Sequence, residues 1–97
     1  MNNGISEIVL EDAAYEAHRL AATTLPDDVK KAFVGMRNNE TKELPKSVLG
    51  SIVENFQVAE EDQRPICADV GVPRVYAVVG NEVSLDGGFI ALERAVR

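Results

Sequence analysis

The sequence from Pro45 to Gly71 reads PKSVLGSIVENFQVAEEDQRPICADVG, and this stretch decides the local fold. Apolar residues recur in its first part at spacings of three and four, which predicts one face of an α-helix running to about Asp62. These apolar positions are Val48, Leu49, Ile52, Val53, Phe56 and Ala59. Pro65 ends the helix because proline lacks an amide hydrogen and restricts the residue before it. The stretch therefore predicts a helix followed by a loop that carries the only cysteine of the chain, Cys67.

Two further helices are predicted upstream, from about Ser6 to Ala22 and from Pro26 to about Met36. The first has an apolar stripe of helical period, and the second has a proline suited to a first helical residue. We expect the three helices to pack as a bundle through the apolar stripes. The expected contact residues are Ile8, Val9, Ala13, Val29, Phe33, Ile52, Val53 and Phe56.

A short β-hairpin is predicted downstream of the loop. Val75–Val79 is an uncharged, β-favouring run, Gly80-Asn81 is suited to a turn, and Glu82–Leu85 is suited to a returning strand. A final helix begins at Phe89 and has no stop signal before the last residue. A hairpin alone is marginally stable in water. We therefore predict an α+β, mainly α fold: a three-helix N-terminal bundle, a β-hairpin and a C-terminal helix, forming one incomplete domain over residues 1–97.

Composition narrows the class of function. The 97 residues carry a net charge of −6, which argues against nonspecific binding to nucleic acid. No apolar run approaches the roughly 18 to 20 residues of a membrane span. The N-terminal residues lack the character of a signal peptide, and a single cysteine excludes an internal disulfide. We expect a cytoplasmic protein with no membrane or nucleic-acid partner.

The loop holds the candidate chemistry. Cys67 lies between a proline and a glycine, with the carboxylate of Asp69 two positions later, which suits a reactive or ligating thiol. Two simpler interpretations stay open. A lone cysteine is commonly a small buried hydrophobic residue, and a loop aspartate commonly caps a turn.

The order and spacing of several segments resemble a known family over roughly Leu25 to Arg97. The segments are Leu25-Pro26-Asp27-Asp28-Val29, Glu54-Asn55-Phe56, Ala59-Glu60-Glu61 and Arg64-Pro65-Ile66-Cys67-Ala68-Asp69-Val70-Gly71, followed by the predicted strand Val75–Val79 and the predicted helix at Phe89–Arg97. The chain resembles the N-terminal portion of the iron–sulfur hydro-lyases, which include the class I fumarases and the alpha subunit of tartrate dehydratase.

The resemblance implies reversible dehydration of a 2-hydroxy dicarboxylate by an enzyme with a 4Fe-4S cluster. Three cysteines hold the cluster in this family, and Cys67 matches the first of these metal ligands. Asp69 matches a catalytic carboxylate that contacts the substrate and helps in proton transfer. Ala68 stands at the substrate-contacting position where the family commonly has glutamine, and Val70 stands where it commonly has threonine. An amide and a hydroxyl are thus lost, which bears on the identity of the substrate.

The resemblance also implies partners. They are the remainder of the alpha region, which would supply the other two cysteines, a beta subunit or domain, further copies in a homo-oligomer, and a small dicarboxylate substrate. We expect no cluster and no activity in this chain alone. A different function stays open: a non-catalytic helical interaction or assembly domain, either a separate subunit or the remnant of a broken gene.

Overall fold

The computed structural model describes residues 4–69 and 71–97. In chain order, the elements are β1 (Gly4–Ile5), α1 (Glu7–Thr23), α2 (Asp27–Asn39), α3 (Glu43–Asp62), β2 (Ser84–Leu85) and α4 (Phe89–Val96). The predicted α+β, mainly α class is confirmed. No helix in the described part of the chain is both long and apolar enough to cross a membrane. The chain divides into two compact units, one of residues 4–19 with 71–97 and the other of residues 20–69.

Helices α2 and α3 form the core of the unit that spans residues 20–69. Val53, Phe56 and Ala59 are buried and follow one another at intervals of three along one face of α3. The ring of Phe33 on α2 lies 6.3 Å from that of Phe56, between centroids, with the planes tilted by 46°. This tilted geometry is one that aromatic pairs favour. The predicted packing of the second helix on the third is therefore confirmed, and α3 begins at Glu43, two residues before Pro45.

The predicted packing of the first helix is wrong. Helix α1 covers nearly the range that the sequence predicts, but Ile8 is 71% exposed, Val9 is 55% exposed, and Ala13 is exposed as well. Ile52 on α3 also lies at the surface. Helical periodicity shows which side chains share a face, but it does not show whether another element covers that face.

The predicted β-hairpin is also wrong. Residues 75–79 form no strand, although the expected turn does form, with the Val83 amide donating to the Gly80 carbonyl at 3.1 Å. The short strand β2 instead pairs with β1 in parallel, with Gly4 opposite Ser84 and Ile5 opposite Leu85. A parallel pair needs a long connection between its strands, so it cannot be read from a local turn signal.

Helix α4 begins after two glycines that the backbone requires. Gly87 and Gly88 have φ angles of +85° and +75°, a region that favours glycine. A Cβ on Gly87 would also lie 3.3 Å from the Cβ of Ala91, which is tighter than ordinary contact. Ala91 and Ala95 are buried four residues apart on one face of the helix. The predicted C-terminal helix is thus confirmed.

Candidate functional site

The loop that follows α3 begins with a left-handed residue. Gln63 has φ 54° and ψ 47°, and its side-chain amide donates to the Glu60 carbonyl at 2.7 Å. The Arg64 amide donates to the Ala59 carbonyl at 2.9 Å. Such bonds satisfy carbonyls that the last turn of a helix leaves without partners. The chain therefore turns sharply at the end of α3, and Ile66 then lies within hydrogen-bonding distance of Asn55 on the same helix.

Ile66 is held on two sides. Its amide donates to the carbonyl of Ala22, near the end of α1, at 2.8 Å. Its carbonyl accepts a hydrogen bond from the side-chain amide of Asn55 on α3, with an Nδ2–O distance of 2.7 Å. Both backbone polar groups of Ile66 are therefore engaged, and the residue that follows it is the cysteine.

Cys67 lies on this loop as a free, exposed thiol. Its Sγ donates a weak hydrogen bond to the backbone carbonyl of Asp69 at 3.3 Å. Ala68 and Asp69 are exposed beside it. The predicted position of the thiol on a loop is confirmed, and its exposure does not fit the interpretation of Cys67 as a buried hydrophobic residue. The roles of these three residues as metal ligand, substrate contact and acid–base group stay predictions, and Val70 lies outside the described residues.

The loop offers one candidate metal ligand, Cys67, rather than a complete set. Within residues 4–69 and 71–97, no three His, Cys, Asp or Glu side chains come together in a way that could hold a metal ion. The donor chemistry of Cys67 fits an iron–sulfur cluster, because thiolates are the usual ligands of such clusters. The thiol is exposed, so its sulfur is sterically accessible.

A shallow cleft lies along α3. Its volume is about 340 Å³, and it is lined by Ser47, Val48, Ser51, Ile52 and Asn55. Ser47, Ser51 and Asn55 follow one another at intervals of four, so their polar groups lie on one side of the helix. Because Asn55 also bonds the loop backbone, one side chain connects this cleft with the residue before the cysteine.

A second cleft belongs to the unit of residues 4–19 and 71–97. It measures about 540 Å³ and is lined by Glu11, Ala14, Tyr15, His18, Pro73, Val75, Arg94, Ala95, Val96 and Arg97. Its titratable side chains are exposed. The cleft contains none of the candidate site residues.

An ion pair joins α1 to α4 near this second cleft. The Arg94 guanidinium donates to the Glu7 carboxylate with an Nε–Oε1 distance of 2.8 Å. This hydrogen bond lowers the pKa of Glu7 and raises the pKa of Arg94. Both side chains are exposed to solvent, so screening limits the contribution of the pair to stability.

Sequence reasoning missed the role of Asn55 in fastening the loop. The segment around it stands out as one of the landmarks of the resemblance, but no local pattern indicates a bond to a carbonyl eleven residues away. Asparagine is a weak helix former in the middle of a helix. Its presence there is the one local signal in the sequence that the Asn55 side chain makes a specific contact.

A family model and individual relatives both match most of this chain. The model of the family described as Fumarate hydratase (Fumerase) matches residues 11–97. A protein of Methanocaldococcus jannaschii named "Putative L(+)-tartrate dehydratase subunit alpha" is 40% identical over 75 residues, which cover 77% of this chain. The L(+)-tartrate dehydratase subunit alpha of Escherichia coli K12 is 29% identical over 85 residues, which cover 88% of this chain.

The matched part is a fraction of each relative. The chain spans 26% of the length of the Methanocaldococcus protein and 26% of the length of the Escherichia coli protein. The same identity and coverage hold for the L(+)-tartrate dehydratase subunit alpha of Shigella sonnei. No solved structure matches the chain.

Proposed function

This chain belongs to the fumarate hydratase family, and from that premise we propose that it is the N-terminal piece of the alpha region of a hydro-lyase. The reaction is reversible dehydration of a 2-hydroxy dicarboxylate. The observation that carries the proposal is the exposed thiol of Cys67 on a fastened loop, inside the matched residues. The rest of the alpha region is also proposed, because the chain spans only 26% of the length of these relatives.

Cys67 is assigned as one of three protein ligands of a 4Fe-4S cluster. A cluster with an open iron position supplies Lewis acidity that makes a substrate hydroxyl a better leaving group. Cys67 offers a single thiolate, and no further cysteine exists in the chain. The other two ligands are therefore assigned to the remainder of the alpha region. A reducing compartment keeps such thiols available, which favours a cytoplasmic location.

Asp69 is assigned as the acid–base residue. Its carboxylate is exposed two residues from the ligating cysteine, so a substrate that reaches the loop also reaches this group. Its role is to take up and return the proton that dehydration and hydration exchange. Ala68, between the two, presents its backbone and a methyl group to the substrate. It offers no side-chain hydrogen bond, so the dicarboxylate must find polar partners elsewhere.

The names of the relatives suggest substrates to assay. L(+)-tartrate appears in the names of the Methanocaldococcus and Escherichia coli proteins, and fumarate in the name of the family. We propose a small dicarboxylate of this kind as the substrate. The relatives are named alpha subunits, and we propose a beta subunit or domain as the partner, within a homo-oligomeric assembly.

A second candidate is a non-catalytic interaction or assembly domain. Large apolar side chains are exposed in the unit of residues 4–19 and 71–97. They include Val72, Tyr76, Val78, Phe89 and Ile90, of which Tyr76 is 87% and Val78 is 100% exposed. Exposed apolar surface commonly marks an interface. The same surface would also suit contact with the rest of an alpha region, so it does not separate the two candidates.

Iron content and turnover together separate the candidates. We would reconstitute the assembled protein without oxygen, measure iron and sulfide, and assay L(+)-tartrate and fumarate. Cys67→Ser should abolish both cluster retention and turnover, whereas Asp69→Asn should retain iron and lose turnover. Asp62→Asn is the matched control, because Asp62 is an exposed carboxylate at the end of α3, and it should change neither quantity. A Cys67→Ser protein with full iron and full rate would reject the assignment of Cys67 as a cluster ligand. A wild-type assembled protein that neither holds iron nor turns over either substrate would reject the hydro-lyase assignment and favour the assembly domain.

A further inference from the structure

The Asn55 side chain reaches across eleven residues to the backbone of the cysteine loop. The Nδ2–O distance of 2.7 Å to the Ile66 carbonyl lies at the short end of the range for N–H···O bonds, and the bond requires the NH2 group of the Asn55 amide, because its oxygen cannot donate. On the other side of the same residue, the Ile66 amide donates to the Ala22 carbonyl at 2.8 Å. The two bonds hold Ile66 between α3 and the end of α1.

We propose that Asn55 is a positioning residue that fixes the direction in which the loop presents the Cys67 thiol. We call the two hydrogen bonds to Ile66, from Asn55 and to Ala22, the clamp. The role of the thiol as a metal ligand rests on the proposed function, but the existence of the clamp does not. Adjacent Cα atoms lie about 3.8 Å apart, so a rotation at Ile66 moves the thiol directly. Removing either bond to Ile66 therefore changes where the sulfur lies.

A purely structural role for Asn55 is the competing explanation. The side chain is exposed and contributes little to the core, which lies at Val53, Phe56 and Ala59. Alanine is also a better helix former than asparagine, so Asn55→Ala should leave α3 intact or firmer. A loop that loosens while α3 keeps its stability can be explained only by the lost contact with Ile66.

The first test measures the loop in the 97-residue chain. Asn55→Ala removes the hydrogen bond to the Ile66 carbonyl, so the loop should open more often and expose the Ile66 amide, which donates to Ala22. Loss of one hydrogen bond of ordinary strength should raise the exchange rate of that amide hydrogen by roughly 2- to 12-fold. A nitroxide attached to Cys67, the single cysteine, should at the same time become more mobile in its electron paramagnetic resonance spectrum. The urea midpoint of unfolding should not fall, because alanine is the better helix former.

Ser51→Ala is the matched control. Ser51 lies one turn before Asn55 on the same side of α3 and lines the same cleft, so its exchange and label spectra should equal those of the wild type. Asn55→Asp is a second variant of equal size that lacks the donor, and it should reproduce the alanine result. Unchanged exchange at Ile66 in both Asn55 variants would overturn the proposal. A fall in the urea midpoint with faster exchange throughout α3 would also overturn it, in favour of a structural role.

A second test links the clamp to the cluster. In the assembled, iron-loaded protein, a chelator should remove iron faster from Asn55→Ala than from the wild type or from Ser51→Ala. Equal rates of iron removal from Asn55→Ala and from the wild type would overturn the claim that Asn55 positions Cys67 as a metal ligand. Wild-type protein that never holds iron would instead reject the proposed function and the ligand assignment with it. Exchange at Ile66 would still decide whether the clamp exists, so the two failures are distinguishable.

Discussion

Replacing Phe56 by alanine tests the packing of α2 on α3. Phe56 is only 4% exposed, and its ring contacts that of Phe33. A buried phenylalanine removes roughly 150 to 250 Å² from water, worth roughly 4 to 6 kcal/mol as an upper bound. Substitutions of this kind cost about 3 to 5 kcal/mol in practice, of which about 0.5 to 1.5 kcal/mol would come from the ring pair. We expect a loss of about 4 kcal/mol in the free energy of unfolding.

Urea unfolding followed by circular dichroism at a helical wavelength measures this loss. With a slope of about 1.5 kcal/mol/M, the midpoint should fall by roughly 2.7 M, a large share of the stability of a small domain. Phe89→Ala is the matched control, because Phe89 is 73% exposed at the start of α4 and should cost under about 1 kcal/mol. If the free energy of unfolding of Phe56→Ala lay within about 1 kcal/mol of the wild-type value, the packing of α2 on α3 through Phe56 would be refuted. Equal losses from the two substitutions would refute it as well.

Three further predictions concern the loop, the ion pair and the glycines. In the native chain, Cys67 should react with a maleimide to a stoichiometry of one, and resistance before unfolding would contradict its exposure. Arg94 lowers the pKa of Glu7 from 4.5, so the pair stabilises the chain above that pH. Between about pH 6 and pH 3, stability should fall less in Glu7→Gln than in the wild type, and equal slopes would contradict the pair. Gly35→Ala in α2 should stabilise by about 0.5 to 1 kcal/mol, because a Cβ there meets open space. Gly87→Ala should destabilise the chain by about 1 to 2 kcal/mol because of the positive φ at this position. A lower urea midpoint in Gly35→Ala or a higher one in Gly87→Ala would contradict the respective glycine prediction.

The placement of the candidate site was largely predictable. A proline after a helical stripe and a glycine beyond it indicate an exposed loop, and the structure places Cys67 on one. The bond from Asn55 to the Ile66 carbonyl was not predictable, because it joins residues whose distance depends on the sharp turn at Gln63. That turn places a residue other than glycine in a left-handed conformation, which sequence patterns rarely indicate.

The sequence by itself determined the four helices and their approximate bounds, because helical period and proline positions act over a few residues. It also determined the family of the chain and the single thiol that the loop presents. Only the tertiary structure decided that Ser84–Leu85 pairs with Gly4–Ile5 in parallel and that Val75–Val79 forms no strand. Strand pairing joins segments about eighty residues apart, and its free energy depends on which segments meet after the chain has folded. For the same reason, the stripe of α1 predicted its helix correctly while Ile8 stayed in water.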